Sequence, residues 1–405
     1  MSNKEYRKTE HADPDIVIRH LDGIETWEIP AKSDTKYLSH SYFRYIGQFP
    51  PQIARAIIRQ YSKAGETLID PMCGGGTVLL EARLAGLNAI GIDINPVAIL
   101  WSKVRCTYVE EKKLISTIKN HLDAVQQDLS SGLITIDRFV QDRSPRQTKN
   151  VLELPDLHGN EEFYEKNTLH QLAIILRQIQ QIENKDCRDF ALAALLAILR
   201  KVSLANKKKM NVVIDMKAKK YSVFRTYENQ LKTMILMNEK MRGLFGNTCL
   251  ALQKGDILSF SIPKGPIDMA IIHPPYPTNT SFAESLRLQL AFMGIDHKSL
   301  IKHEVQVRGS YFHKSNGVQR YLVDWHNILK KIYGVLRPQA ICTVVVGDGR
   351  IEYVRLPMGA ITCEFATDIG FSTERFIRHT LVNNTGRTLN RRMTQDYVIV
   401  LRKVS

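Results

Sequence analysis

Apolar positions along this chain recur in two periods, and the switches between them divide it. "PPQIARAIIRQYS" sets Ile53, Ile57 and Tyr61 on one helical face, with two prolines at the start where a missing N–H does no harm. "TLID" reads as a short strand, "TVLLEARLAG" as a helix ending at Gly86, and "NAIGIDIN" as the next strand. Residues 110–246 carry long helical patterns, few glycines and heavy charge, with "LHQLAIILRQIQQI" and "DFALAALLAILRKV" the clearest helices. From about 247 the alternation resumes with "CLALQKGD", "IDMAIIHPPY", a helix near "VDWHNILKKIYGVL", "AICTVVVGDG" and "DYVIVLRKVS". This predicts an α/β domain built from 37–109 and 247–405, a helical insertion at 110–246, and a loosely docked polar arm at 1–36.

The stretch "DPMCGGGT" follows a predicted strand and opens a predicted helix. Three consecutive glycines let the backbone turn tightly and approach a ligand without a Cβ in the way. The next strand ends on Asp93, at the sheet edge where an acid typically holds a ribose diol. Two ligand classes compete. A dinucleotide favours G-x-G-x-x-G and a helix N-terminus free for pyrophosphate. Here Asp70 stands at the head of the loop, which suits the ammonium and sulfonium of S-adenosylmethionine better than a phosphate. Asp256, ending a further strand, is placed to accept from an adenine amino group.

Composition adds a partner. The 405 residues hold 44% apolar and 24% charged side chains, ordinary for a globular chain. Lys and Arg number 56 against 41 Asp and Glu, a formal charge of +15, so a polyanion is expected, nucleic acid first and an anionic membrane surface second. Cys73, Cys106, Cys187, Cys249, Cys342 and Cys363 are scattered, with no zinc spacing, so neither a metal nor a disulfide framework is expected. The polar, charged N-terminus excludes a signal peptide, and "FALAALLAIL" is half the length of a membrane span. A cytoplasmic protein with no membrane partner is the expectation.

Taken as a pair, "DPMCGGGT" and "HPPY" resemble the loops of the amino-methylating DNA methyltransferases, which modify cytosine N4 or adenine N6. The family's first loop reads D-P-F-x-G-x-G-T, and its second reads Asp, Asn or Ser before Pro-Pro and an aromatic. "FPPQIARAIIRQYSKAGETLIDP" is similar to the helix that flanks the cofactor in these enzymes, and the resemblance covers about 40–105 and 247–402. It implies a Rossmann-like, S-adenosylmethionine-dependent methyltransferase sheet. It also implies a cofactor site at Phe49, Pro50, Asp70, Pro71, Cys73, Gly74, Gly75, Gly76, Thr77, Asp93, Ile94 and Asp256.

The implied catalytic residues are His273, Pro274, Pro275 and Tyr276. An exocyclic amino nitrogen is a poor nucleophile because its lone pair is delocalised into the ring. Acceptors aimed at its two protons favour the tetrahedral, charged state that forms as it reacts. The resemblance gives those roles to the His273 side chain and the Pro274 carbonyl, with Tyr276 stacking on a base flipped from double-stranded DNA. His273 departs from the family, since imidazole accepts only when neutral and in the right tautomer. Cytosine N4 is the preferred target. Adenine N6, or an inactive nucleic-acid-binding module that kept the fold, are the alternatives.

Candidate DNA contacts follow from basic loops. "RKVSLANKKKMNVVIDMKAKK" holds eight basic residues and one acid, with Lys207, Lys208 and Lys209 at its centre. "NNTGRTLNRRM" offers Arg391 and Arg392, and Asn279 and Arg287 follow the second loop at the places the resemblance implies. Arg308 and His313 are weaker candidates for the target strand. The insertion is the expected recognition element, and a restriction endonuclease or defence-system partner is implied by analogy.

Overall fold

The computed structural model describes residues 13–45, 47–131, 154–259, 261–262, 265–276, 281–304, 317–351, 354–380 and 395–405. Asp22 and Gly23, at φ of +54° and +74°, form the two-residue turn between β1 (Val17–Leu21) and β2 (Ile24–Glu28). The first helix-bearing unit runs α1 (Pro51–Tyr61), β3 (Thr67–Asp70), α2 (Thr77–Leu84), β4 (Asn88–Asp93) and α3 (Pro96–Arg105). Four helices follow: α4 (Glu111–Ser131), α5 (Lys166–Gln180), α6 (Lys185–Val202) and α7 (Val223–Lys240). The chain then returns to the sheet with β5 (Leu250–Lys254) and β6 (Ile267–Ile272). Short helices α8 (Phe282–Ser285), α9 (Arg287–Phe292) and α10 (His297–Ile301) precede the long α11 (Gly317–Val335). After β7 (Leu336–Gly347) come a small hairpin of β8 (Gly349–Ile351) and β9 (Val354–Leu356), α12 (Met358–Ile369), β10 (Phe371–Thr380) and β11 (Gln395–Lys403).

Nine strands form one sheet in the order β1-β2-β10-β11-β7-β6-β3-β4-β5. The run from β7 to β5 is parallel, and β11 inserts antiparallel between β7 and β10. This is the Rossmann-like α/β sheet expected, with its crossover between β3 and β6 opening the sheet edge where both loops end. Strand alternation builds a core on each face. Leu68, Met269, Ile271, Val398 and Val400 point to one core, and Ile69, Ala270, Ile272, Ile399 and Leu401 to the other. The first face is covered by α1 to α3 together with all four insertion helices, so the helical segment shares one continuous apolar core with the sheet. The second face is covered by α11 and α12.

The stretch expected as a polar arm departs from that reading between residues 17 and 28. There the β1–β2 hairpin extends the sheet, β2 running parallel to β10. Its anchors are non-local: Trp27 is buried, and Arg375 on β10 pairs with Glu25 and lies over the Trp27 ring. Among the described residues no helix is long and apolar enough to cross a membrane.

Candidate active site

The glycine loop joins β3 to α2. Gly74 and Gly76 sit at φ of +49° and +81°, conformations that side chains rarely adopt. Gly75 is required for space: a Cβ there would lie 2.8 Å from the Cβ of Tyr45. Gly76 caps α2 and packs on Ser102, whose hydroxyl donates to the Gly74 carbonyl at 2.9 Å. Asp93, at the end of β4, accepts from the Gly74 N–H at 2.9 Å and the Asn95 N–H at 2.8 Å, so it shapes the loop besides facing the cleft.

The cleft over this loop is acidic. Asp70, Asp93, Asp256 and Glu304 line it, and no Lys or Arg is among its described lining residues. Burial pushes the Asp70 carboxyl up to about 8, against the hydrogen bond from the Met72 N–H and with the Asp93 charge adding to the rise. Burial likewise pushes Asp93 up to about 6, outweighing its two backbone donors. Buried carboxyls without a cation are a poor bed for pyrophosphate and a good one for a ligand carrying ammonium and sulfonium charge. The residues therefore fit S-adenosylmethionine.

Of the expected cofactor residues, Phe49, Asp70, Pro71, Cys73, Gly74, Gly75, Thr77, Asp93, Ile94 and Asp256 all line this cleft. Pro50 instead caps α1, and Gly76 faces Ser102 behind the loop. Tyr45 was not anticipated. Its ring lies against Gly74 and Gly75 and stacks on Phe282 of α8, with centroids 6.2 Å apart, tying the glycine loop to the second loop. Glu304 was likewise unforeseen. It accepts from the Ser281 hydroxyl at 2.5 Å and the Ala283 N–H at 2.6 Å, holding the start of α8.

The second loop leaves the end of β6. His273 and Pro275 line the acidic cleft, where the imidazole packs 5.0 Å from the Phe49 ring, while Pro274 is buried. Burial pushes the His273 imidazole down to about 4, so it is neutral at physiological pH. Its Nε2 lies 2.9 Å from the Tyr276 hydroxyl, and the Asp396 carboxyl at the start of β11 acts on that same hydroxyl. The Tyr321 hydroxyl on α11 donates to the Pro275 carbonyl at 3.0 Å, pinning the loop from below. Neither Asp396 nor Tyr321 carries a sequence signal, since both sit in ordinary strand and helix patterns far along the chain.

Tyr276 faces a second cleft that shares Tyr45, Gly47, Gln48 and Phe282 with the first. Its charge has the opposite sign: Arg44, Arg200, Lys201, Lys207, Lys208 and Lys209 line it. Arg200 organises the lysine loop by donating to the carbonyls of Asn206 and Met210, both at 3.0 Å. Arg287 corrects its expected role. Its guanidinium donates to Asn160 at 2.6 Å and to Glu284 at 3.3 Å and lies over the Phe163 ring, so it joins α9 to the insertion and does not line the basic cleft. Asn279, Arg308, His313, Arg391 and Arg392 lie outside the described residues.

Comparison with known proteins locates this arrangement. A family model described as DNA methylase matches residues 2–103, the part holding the glycine loop and Asp93. The chain is 22% identical over 383 residues to the Type II methyltransferase M.MvaI of Kocuria varians, covering 82% of each. It is 24% identical over 286 residues to the Type II methyltransferase M.BsoBI of Geobacillus stearothermophilus, covering 64% of this chain and 54% of that one. Among solved structures, an S-adenosylmethionine-dependent methyltransferase from Methanosarcina mazei aligns at 12% identity and a TM-score of 0.33, over 86% of this chain and 97% of that one.

Proposed function

We propose that this chain is an amino-methylating DNA methyltransferase, similar to the relatives above, and that it methylates the exocyclic amino nitrogen of a base flipped out of double-stranded DNA, cytosine N4 first and adenine N6 as the alternative. The observation that supports this reading is the meeting of two clefts at one four-residue loop. An acidic cleft suited to a cationic methyl donor adjoins a basic cleft suited to a polyanion, and His-Pro-Pro-Tyr stands between them. When bound, S-adenosylmethionine supplies an electrophilic methyl group on a sulfonium sulfur. Asp70, Asp93 and Asp256 are the residues suited to its ammonium, ribose and adenine groups.

The chain's own residues act on the other reactant. His273, neutral through burial, and the Pro274 carbonyl accept from the two amino protons, drawing the nitrogen lone pair out of the ring as positive charge develops. The Pro275 carbonyl is taken by Tyr321, and the two proline rings fix the backbone, so the acceptors are set before the base arrives. Tyr276 offers its ring to the extruded base, replacing part of the lost stacking. Lys207, Lys208 and Lys209 hold phosphates beside it. A reducing, cytoplasmic setting and a cognate restriction endonuclease go with this reading.

The test is transfer of tritium from labelled S-adenosylmethionine to duplex DNA by the purified chain, followed by nucleoside digestion and mass spectrometry. Methylated cytosine N4 or adenine N6 supports the reading and decides the target. Tight calorimetric binding of S-adenosylmethionine without any label on DNA would instead favour the inactive, nucleic-acid-binding module.

A further inference from the structure

We propose that Tyr276 and Asp396 are positioning residues that hold His273 in its Nε2–H tautomer, leaving Nδ1 as the lone-pair acceptor for the substrate amino group. The inference rests on the function proposed above and names what makes a histidine workable there. An Asp, Asn or Ser at that place offers an oxygen whatever its surroundings, whereas a neutral imidazole has one donor nitrogen and one acceptor nitrogen.

The geometry decides between them by following one proton. Nε2 lies 2.9 Å from the Tyr276 hydroxyl, so the nitrogen left for a substrate is Nδ1. The hydroxyl has a single proton, and the Asp396 carboxyl competes with Nε2 for it. With Asp396 ionised, Tyr276 donates to the carboxylate and turns a lone pair toward Nε2, which must then carry the hydrogen. With Asp396 protonated the chain reverses. The carboxyl donates to Tyr276, Tyr276 donates to Nε2, and Nδ1 becomes N–H, a donor where an acceptor is needed.

The surroundings keep the first arrangement at neutral pH. Asp396 is 3% exposed, and burial pushes it up to about 6, partly offset by the Tyr276 hydrogen bond. Its cross-strand neighbour on β10 is His379, which burial pushes down to about 4 and so leaves uncharged. Across from Asp396 on the other side is Gly347 of β7, followed in the chain by Asp348, and Tyr321 of α11 flanks Tyr276. Above about pH 6 the carboxylate is therefore ionised while His273 stays neutral.

The experiment uses the full chain with 15N-labelled histidine, assigns the His273 signal with His273→Gln, and reads the tautomer from long-range proton–nitrogen spectra. The wild type is expected to show a protonated Nε2 and an unprotonated Nδ1 at pH 7.5, changing over near pH 6. Tyr276→Phe keeps the ring for stacking but loses the hydroxyl. It should mix the tautomers and lower kcat on the order of 10–100-fold, with KM for DNA little changed. Asp396→Asn, which cannot ionise, should remove the acid limb of the kcat–pH profile near pH 6. A wild-type Nδ1–H tautomer overturns the proposal, as does a Tyr276→Phe protein with wild-type tautomer and kcat. If the wild type labels no DNA, the functional reading falls, and the spectra of wild type and Tyr276→Phe still decide the relay.

Discussion

Binding of a cationic methyl donor over the glycine loop should expel a proton, and Asp70 is its source. With the free carboxyl pushed up to about 8 by burial, roughly nine in ten Asp70 side chains are protonated at pH 7. An ammonium or sulfonium within a few ångströms lowers a carboxyl by about 1–3 units, to between about 5 and 7. The difference is a release of about 0.4–0.9 proton per ligand at pH 7. Affinity accordingly rises with pH from about 6, where Asp93 also ionises, and levels off near 8. Calorimetry with S-adenosylmethionine in phosphate and in Tris reads the proton directly, as the buffer ionisation enthalpy appears in the observed heat. The ligand's own amino group takes up at most about 0.2 proton at that pH, and Asp70→Asn measures that baseline. Identical heats in the two buffers, or undiminished release from the Asn variant, would refute the assignment of Asp70 as the buried acid that meets the cation.

The same carboxyl has a folding consequence. Because its folded-state value is raised, the native chain binds more protons than the unfolded one between about pH 4 and 8, so Asp70 subtracts stability as pH rises across that window. Asp70→Asn should raise the ligand-free melting temperature at pH 8 and leave it nearly unchanged at pH 4, checked by calorimetric scans. Gly75→Ala places a Cβ 2.8 Å from Tyr45, and overpacking of this kind costs about 1–3 kcal/mol; denaturant midpoints should fall and S-adenosylmethionine affinity with them. Arg287→Ala should lower stability by about 1–3 kcal/mol through its lost partners, without changing the salt dependence of DNA binding. Lys208→Ala and Lys209→Ala should instead leave stability intact and flatten the log–log salt slope by about 0.9 each if each neutralises one phosphate.

What could be read from the residues was local. Asp70 and Asp93 announce themselves because each closes a short apolar run at the sheet edge, while Asp256 follows β5 by two residues, after a Lys-Gly pair. The β1–β2 hairpin had a local signal too, its Asp-Gly turn, but both sides of its five-residue strands mix apolar with polar residues. Their place in the sheet comes from β2 pairing with β10, about 350 residues later. Tyr45, Glu304, Tyr321 and Asp396 reach the site from four separate elements, so no window of sequence contains their relationship to the loops. Arg287 shows the converse limit. Resemblance supplied its spacing after the loop, while the direction of its side chain is set by Asn160 and Phe163, which come from the insertion.

The net charge also takes on a different meaning beside the two clefts. An excess of +15 spread evenly would attract polyanions to every surface and oppose a cationic ligand everywhere. Here the acids that line a cleft are gathered on the glycine-loop side of the His-Pro-Pro-Tyr loop, and the bases on the side of the insertion. Low-dielectric walls focus each group's field into its own cleft, so opposite potentials can persist on the two sides of a four-residue loop. A cationic donor and an anionic strand can then be held within reach of one another without either being drawn into the other's cleft. His273 stands at that boundary, and its loss of charge by burial follows from the same placement. In the proposed reaction a protonated imidazole would repel the methyl donor on one side and withdraw its lone pair from the base on the other. The apolar packing against Phe49 that keeps His273 neutral is thus as much a part of the site as the acids and lysines around it.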